Sequence, residues 1–440
     1  MDSLNDFWKR GQVMIGSACF KPSRRTGIAL PLPDGRTCPG GGFANNHRPT
    51  TPNASPMKAL LLPSLLLTCA FACAQDATFK GDVKDVRTVR TMEQQPGASL
   101  LWEPYIASWK PKQLVVAFGA GIPGKTDMGD ILACVSTNDG DTWSDPVAVF
   151  DHNQRQGTIQ FGYANAILFH PPGQEVVWCF AMRCPMNYRN SEDAQLVAAF
   201  SGDGGRSWSP VELAMHYSQP LIVVAGIETI MENGRPRYLL PAHRNTLRTN
   251  PLGSRDQFIL SSTSLLEWKA EGIIPQPATG KVFLHEGGLA PGDAEGELKL
   301  VMRTANWEEK AALEPPRAFS SVSKDGGRTW SPAQQEPDLW NARSKGFFGR
   351  MSNGAHLYVY NDGPAMPAKG ARTSLRYKLQ PAGGAWGAEQ TFYDSGTHNS
   401  YPTLIEVAPG DFRAVWDSGT ADRTRTHIRF GKFPVPVGKQ

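Results

Sequence analysis

The chain has 440 residues, enough for about three domains at roughly 150 residues each, although all-β units also reach this length as one. Its 40% hydrophobic and 20% charged residues are a globular composition, and 12 Trp with 20 Phe exclude a disordered chain. The net charge of +4 comes from residues 1–74, which hold 8 Lys/Arg against 3 Asp/Glu; the remainder holds 37 basic and 38 acidic residues, so it offers no electrostatic case for nucleic-acid binding.

Residues 1–56 are rich in Pro, Gly, Arg and Asn and show no sustained periodicity. They read as a disordered extension, or as sequence upstream of a true start at Met57. From Met57 a basic Lys58 leads into an apolar run, Leu60 to Leu67, interrupted by Pro63 and followed by Ala72-Cys73-Ala74. That order is a signal peptide over 57–74, with Gln75 starting the mature chain 75–440. The apolar run is too short to span a membrane, so no membrane span is expected. A secreted or periplasmic protein is expected, with a lipid anchor at Cys73 as the alternative. Cys134, Cys179 and Cys184 remain after cleavage. Cys179 and Cys184 point to opposite faces if they share a strand, which disfavours a bridge. No CxxC pair and no histidine cluster at ligand spacing occurs, so neither a metal nor a cofactor is expected.

Three octamers share the pattern S-x-[DN]-x-G-x-[ST]-W: Ser136–Trp143, Ser201–Trp208 and Ser323–Trp330. A fourth, Ser261–Trp268, keeps the Ser and Trp, and a fifth, Leu379–Trp386, keeps Gly383 and Trp386. The Trp spacings are 65, 60, 62 and 56, a strong repeat signal. The Asp or Asn accepts backbone N–H bonds across a tight turn, and the Gly supplies positive φ. Short alternating runs such as Gln195–Phe200 and Arg317–Val322 precede these turns and read as antiparallel strands. Residues 77–433 hold about six units of about 60 residues, and four-stranded units repeated radially make a six-bladed β-propeller. The predicted fold is therefore all-β.

The octamers resemble the Asp boxes of the sialidase (BNR-repeat) superfamily, and the resemblance covers about residues 77–433. It implies an exo-acting glycoside hydrolase that releases a terminal sialic acid or related acidic sugar. The alternatives are a non-catalytic glycan-binding propeller and an enzyme for another uronate-containing glycan. The expected partner is a glycan with an acidic terminal sugar, and a monomer is expected. Sialidases clamp the substrate carboxylate with three arginines. They use a Tyr nucleophile activated by a Glu, and an Asp as acid/base. A neutral Tyr avoids the repulsion an anionic nucleophile meets from that carboxylate.

His285-Glu286-Gly-Gly-Leu, followed one hairpin later by Leu300-Val-Met-Arg303, resembles the family's Glu and second clamp arginine. Tyr360-Asn-Asp-Gly leading to Arg372-Thr-Ser resembles the third arginine segment, with Arg350 and Arg376 as local competitors. Asn399-Ser-Tyr401-Pro resembles the nucleophile segment. Asp127, in the Gly-rich loop after Phe118, is the match for the acid/base, with Asp130 as its competitor. The resemblance departs at the first clamp arginine: in Trp102-Glu103-Pro104-Tyr105-Ile106, Glu103 stands where Arg is expected. His243, His285 and His398 read as loop histidines exposed to solvent, with a place bordering the central cleft as the alternative.

Overall fold

The computed structural model describes residues 79–125, 127–156, 158–186, 194–216, 221–223, 226–244, 257–278, 282, 284–304, 317–341, 344–361 and 372–435. The extension over 1–56, the signal peptide over 57–74 and Cys73 lie outside the described residues.

Every regular element among these residues is a strand. After β1 (Lys84–Thr91) comes an antiparallel meander of β2 (Leu101–Lys110), β3 (Gln113–Gly121), β4 (Gly129–Ser136) and β5 (Val147–Phe150). The short β6 (Arg155–Gln156) precedes a second meander of β7 (Ile159–Phe169), β8 (Val177–Pro185), β9 (Gln195–Ser201) and β10 (Ser209–Val211). A six-stranded sheet follows: β11 (Ala214–His216), β12 (Leu221–Val223), β13 (Glu228–Glu232), β14 (Arg235–Arg244), β15 (Gln257–Ser262) and β16 (Glu267–Ile273). Next is the four-stranded sheet β17 (Leu284–Pro291), β18 (Leu298–Thr304), β19 (Arg317–Ser323) and β20 (Gln334–Trp340). Another contains β21 (Phe347–Arg350), β22 (His356–Asn361), β23 (Ser374–Gln380) and β24 (Gln390–Asp394). The last combines β25 (Asn399–Ala408), β26 (Asp411–Ser418) and β27 (His427–Pro434) with β1, which pairs antiparallel to β27.

Among the described residues the sheets number five where six were expected, because the first two meanders join into one nine-stranded sheet. The join is the pair Gly129↔Tyr163 between β4 and β7. The arrangement is propeller-like: apolar residues lie between successive meanders. Ala107, Val115 and Val177 pack between the first and second; Trp178, Tyr238 and Leu260 between the second and third. The same holds for Ile259 with Leu300, Val301 with Tyr358, and Val359 with Phe412. Val415 and Phe430 of the last sheet pack on Val116 and Phe118 of the first meander, which closes the ring. Cys134, Cys179 and Cys184 are free and buried.

The octamers occupy corresponding turns, after β4, β9, β15, β19 and β23. In the third, Asp325 Oδ1 accepts from the N–H groups of Arg328 and Thr329 at 3.1 and 2.9 Å. Ser323 Oγ accepts from Gly327 N at 2.8 Å, and Trp330 Nε1 donates to Gly327 O at 3.0 Å. The second box repeats these bonds around Ser201, Asp203, Gly205 and Trp208. The residue three before each Trp has positive φ: Gly140 at 87°, Gly205 at 93°, Gly327 at 89° and Gly383 at 66°. The degenerate fourth box forms the same turn with Leu265 at φ 66°, and Trp268 Nε1 still donates to its carbonyl at 2.9 Å. There the serine shifts by one: Ser262 Oγ, not Ser261, accepts from Leu265 N, at 2.8 Å.

Candidate active site

Four strands that open meanders are each kinked near their start. The register shifts between Trp102 and Tyr105 in β2, Ala164 and Ile167 in β7, His285 and Gly288 in β17, and Ser400 and Thr403 in β25. Within each kink one residue takes the left-handed backbone: Glu103 at φ 47°, Asn165 at 57°, Glu286 at 41° and Tyr401 at 53°. For a non-glycine residue this costs on the order of 1–2 kcal/mol. A β-bulge re-aims a side chain, and here four corresponding bulges turn polar groups toward one another.

The Tyr401 ring is buried and ringed by cations. The guanidinium carbons of Arg372 and Arg425 lie 4.9 and 5.2 Å from the ring centroid, and Lys345 Nζ lies at 5.8 Å. Arg303 is delivered by β18, whose register sets it opposite His285, the neighbour of Glu286. Its Nη1 donates to both Glu286 oxygens at 2.6 Å, and the guanidinium also reaches the Tyr401 hydroxyl. Burial raises the Tyr401 pKa; Arg372 and Arg303 oppose that rise, while Glu286 and Glu103 add to it. Against expectation, Tyr401 and Glu286 share no direct hydrogen bond among the described residues; Arg303 bridges them.

Asp127 sits exposed in the β3–β4 loop at φ 51°, and its Oδ1 accepts from Arg425 Nη1 at 3.0 Å. Asp130 is engaged elsewhere, accepting from His152 N at 2.7 Å and lying 2.6 Å from His152 Nδ1. Asp130, Asp151 and His152 bring three potential metal-ligand atoms within 4.8 Å, but the direct His152–Asp130 contact already occupies two of them. The competitors of Arg372 also point elsewhere. Arg350 donates to Gly292 O and Gly354 O, and Arg376 to Thr391 Oγ1.

Two cations at this site escaped the sequence reading. Arg425 lies in the β26–β27 turn at φ 56°, and its carbonyl accepts from Leu101 N at 2.8 Å. It sits in the run Arg423-Thr-Arg425-Thr-His427-Ile-Arg429, where no motif distinguishes one arginine from another. Burial does: the Arg425 side chain is only 16% exposed. Its pKa is raised despite burial, chiefly by Tyr401, Asp417 and Asp127. Lys345, just before β21, is buried, which lowers its pKa against the opposing charges of Glu103, Glu286 and Asp417.

Glu103 is 5% exposed. Its N–H donates to Asp417 Oδ2 at 3.1 Å, and its Oε2 accepts from Asn165 Nδ2. Burial pushes its carboxyl up to about 7; Lys345 opposes this, and Glu286 and Asp127 reinforce it. Asp417 is buried, yet hydrogen bonds from His398 and Ser400 and the Arg425 charge hold its pKa below the usual value. The histidines are not solvent-exposed loop groups. His243 and His285 are buried on β14 and β17 with ring centroids 4.8 Å apart, and His398 is half-buried, 2.9 Å from Ser400 Oγ. A cavity of about 220 Å³ is lined by Tyr105, Glu228, Lys345, Glu286, Phe348 and Pro402 among others, so it opens against the same cluster.

Among the described residues, strands packed meander on meander into a closed ring, Asp-box turns, and a cluster of Tyr401 and Glu286 on meander-opening strands with Arg303 on the adjacent β18 define a sialidase-like propeller protein. The chain belongs to the BNR repeat-like domain family, which matches residues 112–414. No curated protein matches it. Among solved structures it is similar to a Dyadobacter fermentans protein of unknown function, with 16% identity and a TM-score of 0.60 over 81% of this chain and 99% of that one. It is also similar to the intramolecular trans-sialidase of Ruminococcus gnavus in complex with oseltamivir carboxylate, with 12% identity and a TM-score of 0.59 over 78% and 96%. A leech intramolecular trans-sialidase complexed with 2,7-anhydro-Neu5Ac aligns with 12% identity and a TM-score of 0.58 over 80% and 70%. At these identities the likeness is one of fold.

Proposed function

We propose that the protein is a secreted glycoside hydrolase of sialidase type that releases a terminal acidic sugar. The observation that carries this is the convergence of Arg303, Arg372 and Arg425 on Tyr401, with Glu286 bound to Arg303. Three guanidinium groups suit a carboxylate, which they bind by charge and paired donors. Arg425 supplies from the last sheet the third cation that Glu103 denies from the first meander. We also read the nine-stranded sheet as two blades, because apolar side chains fill its two halves face to face; that makes six blades.

In the proposed mechanism the substrate carboxylate competes with Glu286 for Arg303 and frees a Glu286 oxygen. Tyr401 has a reference pKa of about 10 and needs such a base to attack at neutral pH. Its oxygen bonds to the anomeric carbon while its proton passes to Glu286. Asp127 gives a proton to the leaving oxygen as the glycosidic bond breaks. Asp127, now ionised, takes a proton from water as that water attacks the anomeric carbon. The bond to Tyr401 breaks, and the Tyr401 oxygen recovers its proton from Glu286.

The test is kinetics of Tyr401→Phe, Glu286→Gln and the double variant on an aryl α-sialoside. Each single substitution should lower kcat nearly as far as both together, since neither group acts without the other. Unchanged turnover in Tyr401→Phe refutes the mechanism. Saturable glycan binding without wild-type turnover favours the binding-module reading. Secretion is checked by N-terminal sequencing of exported protein, expected to begin at Gln75.

A further inference from the structure

Glu103 is a carboxyl group set into a cluster otherwise suited to anions. Two strained bulges bring it there: its own in β2 and that of Asn165 in β7, whose amide donates to Glu103 Oε2. Charged groups face it from every side. Lys345 comes from the segment before β21, Glu286 from β17, Asp127 from the β3–β4 loop and Arg425 from the β26–β27 turn. Asp417 of β26 accepts from its backbone N–H, and Tyr401 lies across the cluster on β25. Glu286 and Asp417 are themselves buried carboxylates, so Glu103 is the third acidic group withdrawn from water here.

A ligand carboxylate that settles among Arg303, Arg372 and Arg425 adds a further negative charge beside Glu103. Two carboxylates sharing one low-dielectric site do not both stay ionised; one holds a proton. The arginines keep the ligand's carboxylate ionised. We propose that an acidic sugar binds this pocket together with a proton that resides on Glu103. The inference rests on the acidic-sugar reading of the site. Its balance is simple: the ligand enters as an anion, one proton comes from solvent, and no covalent bond to the sugar changes. Because burial already holds the Glu103 carboxyl near neutrality, the uptake falls in an accessible pH range.

Linkage fixes the sign. Below the pKa of the free site Glu103 already carries its proton, and affinity does not depend on pH through this group. Above it each ligand must bring a proton, and affinity falls by up to about tenfold per pH unit until the bound-state pKa is passed. Glu103→Gln keeps the shape and removes the titration, so it should bind with the same affinity across that range and more tightly than wild type at the alkaline end.

The experiment is isothermal titration calorimetry of N-acetylneuraminic acid and of galacturonic acid into the full chain between pH 6 and 9. Two buffers of different ionisation enthalpy are used at each pH, so that proton uptake is read directly. Uptake approaching one proton near pH 8 in wild type, and none through this group in Glu103→Gln, is the expected result. Asn165→Ser removes a donor that favours the ionised carboxyl, so it should move the uptake curve to higher pH; this variant carries the test if Glu103→Gln fails to fold. Binding without uptake, or uptake that persists unchanged in Glu103→Gln, overturns the role of Glu103 and leaves the acidic-sugar reading standing. Failure of wild type to bind either acid at any pH overturns both.

Discussion

Replacing Arg303 by Met should destabilise the protein more than replacing Arg303 and Glu286 together. In the native site Arg303 is 5% and Glu286 9% exposed, and one guanidinium nitrogen donates to both carboxylate oxygens at 2.6 Å. Arg303→Met keeps most of the packing volume but strands a buried carboxylate. Losing one member of such a pair costs about 3–5 kcal/mol, mostly the penalty for the unpaired charge left behind. Glu286→Gln in the same chain removes that charge and leaves an amide able to share hydrogen bonds. The double variant should then lie within about 2 kcal/mol of wild type, so the coupling energy is at least about 1 kcal/mol plus whatever Glu286→Gln alone costs. Equilibrium urea unfolding followed by Trp fluorescence measures all four corners of the cycle. If the two substitutions add within about 0.5 kcal/mol, the contact stores no coupling and Arg303 is not paired with Glu286 in solution.

The remaining predictions concern strain and charge. Leu265→Gly relieves a left-handed leucine worth about 1–2 kcal/mol but empties a side chain that is 2% exposed and packed beside Trp268. Truncating such a leucine costs about 2–5 kcal/mol, so packing wins and the variant should be less stable in urea; equal or greater stability refutes that ranking. Glu103 binds its proton more tightly folded than unfolded, since its carboxyl rises from 4.5 to about 7 on folding. Its stabilising contribution is therefore complete below about 4.5 and is lost as pH rises to about 7. Glu103→Gln should be more stable than wild type at pH 8 by about 1–3 kcal/mol and should lose that advantage at pH 4; a pH-independent difference refutes the assignment.

The fold was legible in the sequence because its signal is repeated. Ser323, Asp325, Gly327 and Trp330 each bond or turn as their types require, and the same pattern recurs at even spacing. Even the degenerate copies are legible, the fourth from its Ser and Trp268 and the fifth from Gly383 and Trp386, although Leu265 holding a glycine's backbone is not. The blade count was less legible, since a single pair between Gly129 and Tyr163 merges two meanders into one sheet. In the candidate site, Glu286, Arg303, Arg372 and Tyr401, singled out by resemblance, lie close together in the structure. Arg425 and Lys345 were not legible in the sequence. A cation on a turn reads as a solvated charge, and only the closure of the ring, which brings the β26–β27 turn against the start of β2, buries Arg425 over Tyr401.

That closure also explains why Glu103 is tolerable where an arginine was expected. Were Arg at 103, it would meet Lys345 and Arg425 in one buried cluster, and like charges in a low dielectric repel strongly. With Glu there, Lys345 gains a carboxyl neighbour, and the third guanidinium is recruited from the opposite end of the chain. Glu103 and the buried Arg425 thus belong to one electrostatic arrangement. Glu103→Arg alone should accordingly fail to create a better clamp. It should weaken binding of a carboxylate ligand by displacing Lys345 or Arg425, whereas Glu103→Arg combined with Arg425→Gln should recover part of the loss. Calorimetric titration of N-acetylneuraminic acid into the two variants decides this. A single Glu103→Arg variant that binds more tightly than wild type would show that the two positions are independent.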